Sequence, residues 1–213
     1  MNWVPYGPKG LLFRFAERVG DEAFATGCAI TAELERNPPA GMTEFVPAFT
    51  TVLMRFEEPE QAAAARSDLL RRFERCAGAT PLSRPVTEIP VIYNGVDLER
   101  IAELRQLTMR EVVELHSATI YKVYMLGFSP GFPYLGDLDA RLHTPRLPSP
   151  RTRVPAGAVA IGGEHTGIYS VEGPGGWNII GHTKIKLFDP GRDGAGMFLL
   201  RQGDRLRFAQ KSE

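Results

Sequence analysis

The sequence predicts an α+β fold in two parts. The first is a two-layer α/β N-terminal domain, with helices on one face of an antiparallel sheet; the second is a β-barrel or sandwich. Three observations carry this. Residues 1–93 read strand, strand, helix, strand, strand, helix, strand. From Tyr121 to Thr183 glycine, proline and aromatic residues crowd together with almost no helical period. Within that run, short apolar pieces (Tyr121–Met125, Ala158–Ile161, Gly167–Tyr169 and Asn178–Ile180) recur between turn signals. A run so rich in glycine and proline can also be disordered. The recurring strand-like pieces argue instead for rigid, shaped turns.

Taken in order, Asn2–Gly7 and Leu11–Phe15 read as strands around the turn Gly7-Pro8-Lys9-Gly10. Asp21 can cap a helix that runs to about Arg36, shows a rough apolar face through Phe24, Cys28 and Ala32, and is stopped by Asn37-Pro38-Pro39. Glu44–Val46 and Thr50–Phe56 form a strand pair around Pro47. Acidic residues and Pro59 open a second helix, which ends at Gly78. Val86–Tyr93 is the last strand of the first domain. Asp97–Leu104 and Thr108–His116 are two short helices, the latter with a capping box from Thr108 and Glu111. They make residues 94–118 a helical connector, with the β-rich domain spanning 119–213. Phe198–Phe208, with Gly203-Asp204 in its middle, reads as a closing hairpin.

Composition sets the bounds. At 213 residues the chain can bury a full core, and its 25 basic and 25 acidic residues balance. Net charge therefore gives no reason to expect nucleic acid or an anionic membrane as partner. Cys28 and Cys76 lack CxxC spacing and read as reduced core residues. The start MNWVPYGPKG has no leader pattern, and no stretch approaches the apolar length of a membrane span, so a soluble cytoplasmic protein is expected. No metal site is expected.

Chemistry concentrates in the second half. Phe128, Pro130, Gly131, Phe132 and Tyr134 put aromatic rings on a backbone stiffened by proline and freed by glycine. That suits a pocket wall, a partner surface or a barrel corner alike. Arg146, Arg151 and Arg153 lie in a proline-rich, extended segment, where guanidinium forks bind carboxylates or phosphates. Thr166, Gly167, Ile168 and Tyr169, with Gly175, Gly176 and Trp177, place polar tips beside glycines that let a ligand approach the backbone. His165 and His182 are candidates for proton transfer, while His116 at a helix end reads as a capping cation and His143 has no evident partner. Gly176-x-x-x-x-Gly181-His182-Thr183 is not a P-loop: the lysine is displaced to Lys184 and the surroundings are β-rich. GxSxG, HExxH and cysteine–histidine arrangements are missing too, which points to a binding module or a share of a composite active site.

The runs GFSPGFPYLGDLDARLHTPR, PRTRVPAGAVAIGGEHTGIY and GPGGWNIIGHT, followed by LFDP, resemble the signature of one bacterial family, the B subunits of 5-oxoprolinase. Its members are also called allophanate hydrolase subunit 1 or inhibitors of a sporulation histidine kinase, and they are related to the carboxyltransferase part of urea carboxylase. The resemblance spans essentially the whole chain. It implies a cyclophilin-like β-barrel after the N-terminal domain, and partnership with a C subunit, which resembles the same barrel duplicated, and with a separate A subunit. It also implies hydrolysis of 5-oxoproline to glutamate using ATP with Mg, none of it tightly bound to this chain, which is inactive alone. On this reading Arg146, Arg151, Thr166 and Tyr169 serve catalysis. Phe128, Pro130, Gly131, Phe132, Tyr134, Gly167, Ile168, Gly175, Gly176, Trp177 and His182 bind substrate or partner. The alternatives are a regulatory protein that inhibits a sensor histidine kinase and, more weakly, an allophanate hydrolase or carboxyltransferase-type subunit. The chain departs from the family at His165, where glutamine is common, at His182, where arginine is usual, and at Ser170 and Gly173, which replace a proline and a serine.

Overall fold

The structure, a computed structural model, describes residues 2–80 and 84–212; residues 1, 81–83 and 213 of the expected domain ranges lie outside the described residues. The chain divides into two compact units, Met1–Ser83 and Arg84–Glu213.

The first unit holds β1 (Asn2–Pro5), β2 (Gly10–Arg14), α1 (Asp21–Arg36), β3 (Met42–Pro47), β4 (Thr51–Phe56) and α2 (Pro59–Glu74). Its strands form an antiparallel sheet in the order β1-β2-β4-β3. Gly20, not Asp21, is the N-cap of α1, so Asp21 and Glu22 lie in its first turn at the positive end of the dipole, and α2 has Pro59 in its first turn. Phe13, Val52 and Met54 from the sheet meet Ile30, Leu34, Leu69 and Phe73 from the helices in one core cluster. Arg72 joins the two helices, donating from Nε to Glu33 Oε1 at 2.8 Å.

The second unit holds β5 (Val86–Val91), α3 (Leu98–Arg105), α4 (Met109–Ala118), β6 (Ile120–Leu126), β7 (Pro133–Gly136), β8 (Arg151–Val154), β9 (Ala158–Gly162), β10 (His165–Ile168), β11 (Gly173–Gly175), β12 (Asn178–His182) and β13 (Arg205–Gln210). Seven strands form one sheet in the order β12-β9-β10-β7-β6-β13-β5. Its two edges meet where Ile92 and His182 exchange backbone hydrogen bonds of 2.9 Å each way, which makes a nearly closed barrel. β8 and β11 form a separate two-stranded ribbon.

Two expectations are corrected. β5 was expected in the N-terminal sheet. It runs parallel to β13 instead, from Val86 opposite Arg205 to Val91 opposite Gln210. The division therefore falls at 83/84 rather than 93/94, and the connector helices belong to the second unit, where Leu98, Ile101, Val112 and Val113 enter the main core. Parallel pairing across so long a separation has no local turn to announce it. The second correction concerns the closing hairpin. Only Arg205–Gln210 is a strand, because the Gly203 N–H turns to the Val123 carbonyl at 3.0 Å and β13 enters between β5 and β6.

β9 positions the site. Val159 and Ile161 point into the main core, whereas Ala158 and Ala160 face a second, smaller cluster of Phe132, Val154, Tyr169 and Trp177. Alternate residues of a strand lie on opposite faces. The two alanines on the second face leave room for rings.

Candidate functional site

On that face the rings pack edge to face. Phe132 lies 5.3 Å from Tyr169, 5.4 Å from Trp177 and 5.1 Å from Tyr134, centroid to centroid, and Phe128 lies 5.5 Å from Phe132. Each such contact contributes about 0.5–1.5 kcal/mol beyond area burial. Two glycines make the approach possible. A Cβ on Gly162 would stand 2.5 Å from the Trp177 indole, and one on Gly175 would stand 2.1 Å from the Tyr169 hydroxyl.

Above the rings is a groove of about 320 Å³. Phe128, Phe132, Tyr134, Tyr169 and Trp177 supply its aromatic surface, Leu147, Pro150 and Pro174 its aliphatic edges, and Gly175 and Gly176 a stretch of bare backbone. Its cation is Arg146, whose guanidinium carbon sits 5.8 Å from the centre of the Trp177 ring. Burial raises the Tyr169 phenol, so this hydroxyl stays protonated and serves as a donor.

Phe128 forms the rim. It is 62% exposed with φ of +67°, a left-handed conformation that costs a bulky residue free energy. The loop below it is fastened. The Phe132 N–H donates to the Ser129 carbonyl at 3.1 Å, and the Ser170 hydroxyl donates to the Pro130 carbonyl at 2.6 Å. Ser170 thus holds the loop that displays Phe128.

Of the expected site residues, the structure brings together Arg146, Tyr169, Phe128, Phe132, Tyr134, Gly175, Gly176 and Trp177. Others stand apart from the groove lining. Thr166 is fully buried: its hydroxyl donates to the Ala160 carbonyl at 3.0 Å and accepts from His116 Nε2 at 2.8 Å. Ile168 belongs to the main core, Gly167 lies beneath the Phe132 ring, and Gly131 is buried in the loop. Pro130 offers its carbonyl to Ser170. His182 Nδ1 lies 3.0 Å from Asn94 Oδ1 at the barrel seam. Arg151 turns away from the groove to Asp97, at 2.7 Å. Arg153 pairs with Glu172 at 2.9 Å on the surface.

The histidines differ from expectation as well. His116 is no capping cation. It is fully buried, stacked on Phe208 at 4.5 Å, and held between the Tyr93 hydroxyl on Nδ1 and Thr166 on Nε2. Because Thr166 gives its proton to Ala160, His116 carries its hydrogen on Nε2 and accepts from Tyr93. Burial pushes its pKa down to about 3, so it is neutral. His143 finds a partner in the Leu138 carbonyl, 3.0 Å from Nε2. Burial also lowers His165, against the raising effect of Glu164. Sequence reasoning missed the residues behind the groove, Asp97, Arg100 and Asn178. No local motif marks them, because their partners, Arg151 for Asp97 and Asn178 for Arg100, lie far along the chain.

Among the described residues, no group of three or more histidines, cysteines or carboxylates is arranged to hold a metal ion. Among the described residues, no helix is long and apolar enough to cross a membrane.

Comparison with known proteins places this architecture. The family described as carboxyltransferase domain, subdomain C and D, matches residues 1–199. A Bacillus subtilis protein named as the B subunit of 5-oxoprolinase is 36% identical over 221 residues, covering 97% of this chain and 91% of its own. A protein of the same name from Escherichia coli O157:H7 is 46% identical over 176 residues, covering 81% of this chain and 79% of its own. The crystal structure of TTHA0988 superposes with a TM-score of 0.85 at 40% identity over 96% of this chain, which spans 41% of that larger one. The chain therefore belongs to the carboxyltransferase domain, subdomain C and D, family, together with the proteins named as B subunits of 5-oxoprolinase.

Proposed function

We propose that this chain is the B subunit of an ATP-dependent 5-oxoprolinase, acting in the cytoplasm with the A and C subunits, and that the aromatic groove is its share of a composite site. Identity to the proteins of that name supports the first part. The observation that carries the second is the pairing of a guanidinium with ring walls. 5-Oxoproline is a flat five-membered lactam with one carboxylate. Ring faces accept the lactam, and the exposed Arg146 fork accepts the carboxylate bidentately. Tyr169 and the bare backbone at Gly175 and Gly176 supply polar contacts for the amide.

Opening an amide with ATP requires activation of the amide oxygen, after which water attacks the carbonyl carbon. A triphosphate with Mg does not fit this groove, which offers one cation amid rings and prolines, and the Gly176–Thr183 run leads into strand β12 rather than a phosphate-binding loop before a helix. No step through ATP is assigned to this chain. Its own part is to bind and orient the lactam and to exclude water from the side the groove covers. The groove is open, so completion by the duplicated-barrel C subunit is the expectation that follows.

The test is coexpression with the A and C subunits and assay of 5-oxoproline-dependent ATP hydrolysis. Turnover that needs all three chains, and falls at least tenfold with Arg146→Ala or Trp177→Ala in a folded protein, supports the reading. Full turnover without this chain would dispose of it. Full turnover with both variants would leave the subunit role standing and remove the groove from it.

A further inference from the structure

Arg146 and Trp177 face each other from two loops, and neither loop's own secondary structure explains why the pair is held. The explanation lies behind the wall. Asp97 has a side chain only 6% exposed. Its Oδ1 accepts from Arg151 Nη2 at 2.7 Å, and its Oδ2 accepts from the Ile179 N–H at 2.7 Å. Nη1 of Arg151 lies 3.5 Å from the Trp177 carbonyl. Between Trp177 and Ile179, Asn178 is fully buried. Its oxygen accepts from Arg100, and its Nδ2 donates to the Pro145 carbonyl at 2.9 Å and the Ile161 carbonyl at 3.1 Å. Pro145 immediately precedes Arg146. The Leu147 N–H completes the tie, donating to the Gly176 carbonyl at 2.7 Å.

We infer that Asp97 is a positioning residue of the groove: through Arg151 and the Ile179 amide it holds Trp177 at the distance from which Arg146 covers it. The two consecutive peptide units between Trp177 and Ile179, the Asn178 side chain and the carbonyl just before Arg146 are fastened to one buried polar cluster. A buried carboxylate with two charge-assisted or backbone donors is rigid, and losing one partner leaves the others unsatisfied. Arg151 is thereby a member of the support and does not contact substrate. This inference rests on the groove reading for its functional consequence, while its structural content can be read separately.

The experiment labels the chain with 5-fluorotryptophan, which gives two fluorine resonances, one from Trp3 and one from Trp177, assigned by Trp3→Phe. In Asp97→Asn and in Arg151→Gln, the Trp177 resonance should shift and broaden while that of Trp3, in the other unit, stays in place. In the assembled enzyme both variants should raise KM for 5-oxoproline about tenfold with kcat changed less than threefold. The double variant Asp97→Asn/Arg151→Gln, which removes the unpaired charge, should be no worse than Asp97→Asn alone. If Asp97→Asn unfolds, Arg151→Gln removes the same ion pair from a half-exposed position and gives the same reading. An unchanged Trp177 resonance in a folded single variant overturns the inference. A perturbed resonance with unchanged KM would retain the support role and reject the groove as the substrate's site.

Discussion

The guanidinium of Arg146 lies 5.8 Å from the centre of the Trp177 ring, with the Tyr134 ring a further 5.7 Å from Trp177. An exposed cation–π pair contributes only about 0.5–1 kcal/mol to stability. On the proposed reading, the arrangement matters for what it presents to a ligand more than for what it adds to the fold. Arg146→Ala should lower the thermal midpoint by no more than about 4 °C while lowering 5-oxoproline turnover by the assembled enzyme. Arg146→Lys keeps the charge without the planar fork, and should recover only part of the loss. Equal turnover for lysine and arginine would show that a carboxylate is not gripped bidentately there.

Phe128 carries a second prediction. Its left-handed backbone and 62% exposure mean that the loop displays a ring at a conformational cost of about 1–2 kcal/mol. Its edge contacts with Phe132 and Tyr169, at 5.5 and 6.2 Å, offset part of that cost. Phe128→Asn suits the left-handed region better, so stability should hold or rise by up to about 1 kcal/mol. Turnover, or the affinity for the C subunit measured by titration calorimetry, should fall. A variant that loses stability and keeps both properties would make Phe128 a packing residue only.

These features show what the sequence could and could not disclose. Local signals were legible. The Asp21–Arg36 helix ends where Asn37 and two prolines end it, and the Thr108–Glu111 capping box forms with reciprocal bonds of 2.8 and 3.2 Å. The glycine, proline and aromatic runs that stood out in the sequence do converge on one groove. What failed was long-range. The pairing of β5 with β13 and of Asp97 with Arg151, like the approach of Tyr93 and Thr166 to His116, joins residues far apart in sequence. Thr166 and Arg151 looked like site residues because polar side chains beside glycines and prolines read alike whether they face a groove or support it from behind.

His116 gives a pH prediction for the second unit. Its ordinary pKa of 6.5 applies to the unfolded chain, and burial lowers it to about 3 in the fold. A histidine lowered by folding contributes stability that is fully present above the unfolded value and is lost as pH falls from about 6.5 towards 3. The full effect is on the order of 5 kcal/mol. Urea unfolding of a Trp3→Phe protein, followed by Trp177 fluorescence, should show the midpoint falling steadily between pH 6.5 and 4. In His116→Gln the protein should start less stable, having lost the stacking on Phe208, and its midpoint should be flatter over that interval. A slope that survives the substitution unchanged would assign the acid sensitivity to other groups.

Gly162 ends β9 directly beneath Trp177, where an added Cβ would meet ring atoms at 2.5 to 2.6 Å. No rotation of a methyl relieves that contact, so either the strand or the indole must move. The strand is held on both sides, by β10 and by β12. The indole, bordered by the open groove, is the element free to yield. Gly162→Ala should therefore cost about 1–3 kcal/mol of stability, the usual range for overpacking, and should also shift the fluorine resonance of 5-fluorotryptophan at Trp177. Turnover should drop further than the stability loss accounts for, because the displaced ring no longer lies under Arg146. Gly163→Ala is the control: it lies one residue on, with open space around its own Cβ, and carries strain from its φ of +65° without touching the ring. If both variants lose stability alike and neither moves the Trp177 resonance, close packing at Gly162 is not what sets the indole's position.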